Sequence, residues 1–122
     1  MNGYPWIVKR VSSQSPMLVD RTGKYTLATT DFSILTVYIS RSVRGSLLTH
    51  VLIHELGHCA LFSYGLVEDI HKVVKPQYWL EAEEWVCNFI ADYGLRIFET
   101  AYDIIGDDAW AIVPHEIDKL IA

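Results

Sequence analysis

The sequence predicts an α+β fold in which a small antiparallel sheet is followed by several helices. Extended, β-prone runs fill the first third of the chain, and helical spacing of apolar residues prevails from residue 46 onward. This order of elements is typical of α+β proteins. The chain has 122 residues, the length of one ordinary domain, so we expect residues 1–122 to form a single domain.

The β-prone runs begin at residues 6–11, which read as a short first strand. Residues 17–19 are expected to form another short extended piece. Residues 24–29 and 32–39 follow, and the second run is rich in β-branched and aromatic side chains. We expect these two runs to pair as a hairpin that turns near Thr30-Asp31.

A strong helical pattern covers residues 47–64. Ser46 is suited to the N-cap position, and Gly65 is suited to the residue just beyond the helix. Apolar residues surround the helix on nearly all sides, which is typical of a buried helix. Polar residues within it therefore need partners.

The remaining chain reads as further helices. Residues 67–75 form a connection without an assigned structure. Pro76 is well placed at the first turn of a helix over residues 77–93, which Gly94 ends or bends. A last helix is expected over residues 109–121.

Composition excludes several classes of partner. The net charge is −5 and the chain has no basic run, so neither nucleic acid nor an anionic membrane is expected as a partner. Residues 1–6 lack the pattern of a signal peptide, and no apolar run reaches the roughly 18 residues of a membrane span. The two cysteines, Cys59 and Cys87, are expected to be reduced and buried, as in a cytoplasmic protein.

The helix at residues 47–64 contains the sequence His54-Glu55-Leu56-Gly57-His58, which has the form H-E-x-x-H. Residues four apart on a helix differ by about 40° in direction, so His54 and His58 can hold one metal ion. Glu55 points away from that pair, towards a water on the open side of the metal. Zinc hydrolases use this arrangement, with the carboxylate as general base.

A site of this type has three protein ligands, and Glu84 is the expected third. Glu84 shares a stripe of the second helix with Leu80, Cys87 and Ala91. The stripe is apolar and small, so Glu84 should lie in the interior, where a metal would offset the cost of burying its charge.

Other residues compete for roles around this site. Glu81 and Asn88 lie on an adjoining stripe and are candidates to orient Glu84 or a ligand histidine, although a solvated face is the favoured position for Glu81. Glu83 is expected on a solvated face. His50, one turn before His54, and Cys87 are alternative third ligands.

Together, these residues resemble the ImmA/IrrE family of zinc metallopeptidases. That family combines H-E-L-G-H with a downstream E-x-x-A-N-x-F-A, and residues 84–91 read EWVCNFIA. Glu84, Asn88 and Ala91 match, while Cys87 and Ile90 replace an alanine and a phenylalanine.

The resemblance covers roughly residues 32–91. It includes Arg44, because the family commonly has an arginine before the motif helix. It ends after Ala91, because Asp92-Tyr93-Gly94 stands where the family has L-L-M-P. Residues 1–31 and the last predicted helix show no resemblance to the family.

The resemblance implies a compact zincin-like domain with one zinc ion between two helices. The zinc ligands would be His54, His58 and Glu84, and Glu55 the general base, as in peptidases of the gluzincin type. Family members cleave helix-turn-helix repressors, often in phages or mobile elements. A repressor, as a protein substrate, would then be a separate chain.

Two features of such an enzyme remain open in the sequence. The strand over residues 32–39 is expected to form a cleft wall to whose edge an extended substrate adds. A second donor to the developing oxyanion is expected from a tyrosine or histidine, with Tyr64, His71, Tyr93 and His115 as candidates.

A non-enzymatic function is the alternative. The chain would then be a zincin-fold binding protein with a structural or vestigial metal site. Glu55 argues against this alternative, because a structural zinc site has no use for a general base. Manganese and iron also accept two histidines and a carboxylate, although zinc is favoured.

Overall fold

The computed structural model of the protein describes residues 1–113 and 119–121. The α+β fold predicted from the sequence is confirmed. Its elements are, in order, β1 (Ile7–Val11), a 3-10 helix (Pro16–Leu18), β2 (Ala28–Asp31), β3 (Thr36–Ser40), α1 (Gly45–Ser63), α2 (Leu66–Val73), a 3-10 helix (Pro76–Tyr78), α3 (Trp79–Ile105) and a 3-10 helix (Gly106–Trp110).

The chain divides into two compact units, Met1–Asp92 and Tyr93–Ala122. The first contains the sheet, α1, α2 and the beginning of α3, and the second contains the rest of α3. The expectation of a single domain stays a prediction. Within residues 1–113 and 119–121, no helix has the length and apolar content that a membrane crossing requires.

The three strands form a mixed sheet in the order β1-β3-β2. β3 pairs antiparallel with β2 but parallel with β1, so the prediction of an antiparallel sheet was wrong for β1. All five residues of β3 are buried, which is typical of a central strand covered on both faces. Residue patterns indicate that β3 is extended, but they do not reveal the direction of its neighbour.

The turn between β2 and β3 lies later than predicted. The four residues 32–35 form it, and Thr30-Asp31 belongs to β2. The Asp31 carboxylate accepts hydrogen bonds from the backbone N–H and the hydroxyl of Ser33, at 2.9 and 2.6 Å. Leu35 adopts a left-handed conformation with φ +50°. The hydrogen bonds that the Asp31 carboxylate accepts therefore stabilise a turn that lies later in the chain than composition suggests.

The segment before β2 also differs from the prediction. Met17 and Leu18 belong to a 3-10 helix rather than an extended piece, because the Ser15 hydroxyl accepts the Met17 N–H and Pro16 opens the turn. Leu18 is completely buried and anchors this segment to the rest of the unit.

Helix α1 begins at Gly45, and Arg44 occupies the N-cap position without a side-chain cap. The predicted cap at Ser46 was therefore wrong. At the other end, Gly65 has φ +70° directly after the C-cap residue Tyr64, as predicted for the residue beyond the helix.

The core lies between α1 and β3. Val37, Ile39, Val43 and Cys59 form its fully buried centre. Partly buried residues of α1, among them Leu52 and Leu56, pack around them. The expectation that α1 is buried on all sides was only partly met, since Leu47 is 47% exposed.

The connection at residues 67–75 is largely helical, as α2, and leads to α3. Gly94 does not end α3, which continues to Ile105. The helix predicted over residues 109–121 is absent from residues 111–113, and its positions 114–118, with Pro114, lie outside the described residues.

Candidate metal centre

His54 and His58 lie one turn apart on α1, and their rings meet edge to face, with centroids 4.9 Å apart. The two Nε2 atoms are 3.2 Å apart. The His58 side chain is 5% exposed and the His54 side chain 17% exposed, so this pair lies at the boundary between the core and solvent. The spacing of four on a continuous helix accounts for the convergence.

Glu84 brings a carboxylate from α3 to the same point. Its Oε2 lies 3.2 Å from His54 Nε2, and its Oε1 lies 3.1 Å from His58 Nε2. One ligand atom from each residue falls within 4.8 Å of the others, so the group can hold a metal ion. Zinc–ligand bonds of 2.0–2.1 Å in a tetrahedron place ligand atoms about 3.3 Å apart. The observed separations fit such an ion.

Gly57 allows α3 to approach α1 beside this group. A Cβ at residue 57 would lie 3.2 Å from Cys87 Sγ and 3.5 Å from the Cys87 Cα. Cys87 is completely buried. Because Gly57 has no side chain, α3 can pack closely enough against α1 to bring its carboxylates to the histidines.

Glu83 is the largest departure from the sequence-based expectation. It was predicted on a solvated face, but its side chain is 5% exposed and its Oε1 lies 2.8 Å from His58 Nδ1. An ionised carboxylate only accepts hydrogen bonds, so Nδ1 carries the hydrogen and Nε2 is left for a metal. Glu84 was predicted in the interior, yet its side chain is 42% exposed. Both predictions were wrong.

The stripe predicted for α3 was right for Cys87 and Ala91 and wrong for the glutamate. The buried residues of this helix are Glu83, Cys87 and Ala91, at spacings of four. The expected stripe instead contained Glu84, which lies about 100° around the helix from Glu83. Both stripes have helical spacing, so periodicity alone does not distinguish them.

Arg21 reaches the same carboxylates from a loop that precedes β2. Its Nη2 donates to Glu83 Oε1 at 3.4 Å, and its Nη1 to Glu83 Oε2 at 3.5 Å. Nη2 also lies 4.0 Å from Glu84 Oε1. The site therefore contains a cation from a distant part of the sequence.

Glu55 is buried beside the ligand pair, with 6% exposure. The Thr30 hydroxyl, on β2, donates a hydrogen bond to its Oε2. Burial raises the pKa of Glu55, and the hydrogen bond from Thr30 partly offsets that rise. A buried carboxyl with a raised pKa is suited to accept a proton near neutral pH.

The ionisable groups of the centre stabilise one another's charged forms, His58 as a cation and Glu83 and Glu84 as anions. Burial of His58 opposes its protonation, but hydrogen bonds with Cys87, Glu83 and Glu84 outweigh burial and raise its pKa to about 12. Hydrogen bonds with His54 and His58 hold the pKa of Glu84 well below its usual range. Burial opposes the ionisation of Glu83, but the contacts with His58 and Arg21 lower its pKa overall. These shifts favour the protonated form of His58 and the ionised forms of Glu83 and Glu84.

The centre opens into a cavity of about 780 Å³. His54, Glu55, His58 and Glu84 line it, together with all of β2. Phe32, Ser33 and Tyr38, from the run predicted to form a cleft wall, do line the cavity. The expectation that a substrate adds to the edge of this strand was wrong, because β3 is hydrogen-bonded on both sides. β2 is an edge strand of the sheet, as is β1.

The other predicted site residues do not belong to the ligand group, although Cys87 interacts with His58. His50 lines the cavity, but its Nε2 lies 3.5 Å from Asp92 Oδ1 rather than with His54 and His58. Cys87 packs against Gly57. Asn88 lines the cavity, and Glu81 is exposed, as favoured from the sequence; it is Glu83 that contacts a ligand histidine.

Among the described residues of the first unit, the candidate oxyanion donors Tyr64 and His71 do not line the cavity. Tyr93 belongs to the second unit. His71 stacks on Trp79, with ring centroids 3.8 Å apart. His115 lies outside the described residues.

Sequence reasoning missed Arg21 and Thr30. They lie 62 and 25 residues from their partners, and neither belongs to a recognisable motif. The sequence feature that could have pointed to a role for Glu83 at the site was its position next to Glu84 in an acidic run. Only the pairing of distant elements brings these residues to the site.

Comparison with known proteins gives no relative. No protein-family model, no curated protein and no solved structure matches the chain.

Proposed function

We propose that the protein is a zinc-dependent endopeptidase with a zincin-like fold. The observation that carries this proposal is the convergence of His54, His58 and Glu84 on one point in the floor of a cavity that also contains Glu55. The resemblance of the two motifs to the ImmA/IrrE family supports the same reaction.

The donor set favours zinc, one ion per chain. Two imidazole nitrogens and one carboxylate are the ligands of many catalytic zinc sites, which keep a further position open. A structural site usually closes all four positions with protein ligands. A zinc ion held there supplies Lewis-acid chemistry, in that it acidifies water and polarises a carbonyl group.

Glu55 is the proposed general base. It takes the proton from the attacking water and passes it to the nitrogen of the leaving amine. The Thr30 hydroxyl holds the Glu55 carboxylate and limits the rise in its pKa that burial causes.

An extended segment of a protein substrate is the proposed ligand of the cavity. β2 lies at the edge of the sheet and lines the cavity, so a substrate strand can add to it through backbone hydrogen bonds. By the family resemblance, the substrate is a helix-turn-helix repressor on a separate chain. Two free, buried cysteines fit a reducing compartment, and we propose a cytoplasmic location.

Peptide hydrolysis tests the proposal. The zinc-loaded protein would be incubated with a mixture of synthetic peptides, and new termini would be identified by mass spectrometry. We expect cleavage by the wild type and a loss of about 10²- to 10⁴-fold in Glu55→Gln, the usual contribution of general acid–base catalysis. Glu68→Gln, at the exposed start of α2, is the matched control and should retain activity.

Two outcomes would count against this function. Equal cleavage by the wild type and Glu55→Gln would remove Glu55 from the mechanism. Stoichiometric zinc in a protein that cleaves no peptide would favour the non-catalytic binding function.

A further inference from the structure

Arg21 contacts the metal centre from the wall of the cavity, and its contact has a defined geometry. Both terminal nitrogens face both oxygens of Glu83, at 3.4 and 3.5 Å. A guanidinium is planar, and two parallel N–H groups fix the plane of the carboxylate that they meet. The orientation of Glu83 therefore depends on the position of Arg21.

The loop that carries Arg21 is held by its own hydrogen bonds. Asp20 Oδ1 accepts from the Thr22 N–H at 2.8 Å, the Thr22 hydroxyl at 2.6 Å and the Lys24 N–H at 3.0 Å. The Asp20 N–H donates to the Lys24 carbonyl at 2.8 Å, which closes the turn. Arg21 therefore projects from an ordered turn.

Glu83 connects this turn to a metal ligand. The oxygen that accepts from Arg21 Nη2 also lies 2.8 Å from His58 Nδ1. The Arg21 side chain is 56% exposed, but the side chains of Glu83 and His58 are each 5% exposed. An exposed ion pair contributes little to folding stability. We therefore expect the contact between Arg21 and Glu83 to act mainly on the orientation of His58.

We propose that Arg21 is a positioning residue, which acts through Glu83 to hold His58 in the orientation that binds the metal. This inference rests on the proposed zinc site. Arg21 also lines the cavity, so it couples the wall of the substrate cavity to the metal centre. Substitution of a residue that supports a ligand histidine typically changes metal affinity by 10- to 100-fold.

Metal affinity measures the proposed role without an activity assay. Zn²⁺ and Co²⁺ affinities would be determined by competition with a chelator at one pH, and the visible spectrum of bound Co²⁺ would report ligand geometry. We expect Arg21→Gln to bind about 10-fold more weakly and to shift the Co²⁺ bands. Arg21→Lys, which keeps the charge but loses the fork, should be intermediate.

Lys24→Gln is the matched control. It removes the same charge from the same loop, and Lys24 contributes to the turn through its backbone, so its metal affinity should equal that of the wild type. Thermal unfolding of the metal-free variants would verify that each one folds.

A double-mutant cycle tests whether Arg21 acts through Glu83. In a Glu83→Gln background, Arg21→Gln should change affinity by no more than about twofold, the scatter expected for independent sites. A full loss in that background would overturn the proposed route, and wild-type affinity in Arg21→Gln would overturn the role itself. Failure of the wild type to bind metal would instead reject the proposed function and this inference together.

Discussion

Glu83 Oε1 lies 2.8 Å from His58 Nδ1, and both side chains are almost completely buried. The contact fixes the ring so that His58 Nε2 faces His54 and Glu84. It also means that the protonation of His58 and the occupancy of the site are linked, because a metal ligand must have an unprotonated nitrogen.

The metal-free protein should lose stability as pH rises above 6.5. The raised pKa of His58 means that its contribution is complete below 6.5 and is lost as pH rises towards about 12. The raised pKa of Glu55 acts in the same sense from 4.5 upward. Glu83 and Glu84 have lowered pKa values, so their contribution is present above 4.5 and is lost as pH falls.

Urea unfolding between pH 5 and pH 9 would measure this dependence, with a chelator or with excess zinc. Zinc should stabilise the protein more strongly as pH rises, because binding requires neutral His58. His58→Gln should weaken the decline above pH 6.5. Metal-free stability that increases from pH 6.5 to pH 9 would contradict the charge assignment.

Gly57 and Cys87 should be energetically coupled. In a helix, Gly→Ala alone stabilises by about 1 kcal/mol. At residue 57 the new Cβ would lie 3.2 Å from Cys87 Sγ, and overpacking of this kind costs about 1–3 kcal/mol. We therefore expect Gly57→Ala to destabilise the protein or leave it unchanged.

The same substitution should be stabilising in a Cys87→Ala background, which removes the sulfur. Denaturant unfolding of the two single variants and the double variant would measure the coupling energy. Equal effects of Gly57→Ala in both backgrounds would show that α3 does not approach α1 as closely as described.

Thr30 should set the acid limb of the pH–activity profile. Thr30→Val keeps the shape of the side chain but removes the hydrogen bond that lowers the pKa of Glu55. The acid limb of kcat/KM should therefore move to higher pH. Thr29→Val is a suitable control, since the Thr29 hydroxyl donates to the Met17 carbonyl instead. A profile that shifts equally in both variants would exclude a specific effect on Glu55.

The ligand pair could be predicted from sequence because its geometry is local. His54 and His58 lie four apart on one helix, and no other element is needed to place them on the same side. Glu84 could be chosen because a carboxylate on the next helix completes the set. Its neighbour Glu83 could not be assigned, because Glu83 and Glu84 both have helical spacing to the buried Cys87.

The remaining site depends on contacts between distant elements. Arg21 acts through a turn held by Asp20, and Thr30 reaches Glu55 only because β2 lies beside α1 at the edge of the sheet. The parallel pairing of β1 with β3 likewise depends on the path of the chain between them. Periodicity within one segment contains no information about such pairing.

Metal content tests the central claim most directly. Elemental analysis would compare the purified wild type with Glu84→Ala and with the control Glu81→Gln, an exposed position on the same helix. We predict about one zinc per chain in the wild type and the control, and little or none in Glu84→Ala, because a three-ligand site is then reduced to two. Zinc retained in full by Glu84→Ala, or absent from the wild type, would contradict the proposed centre.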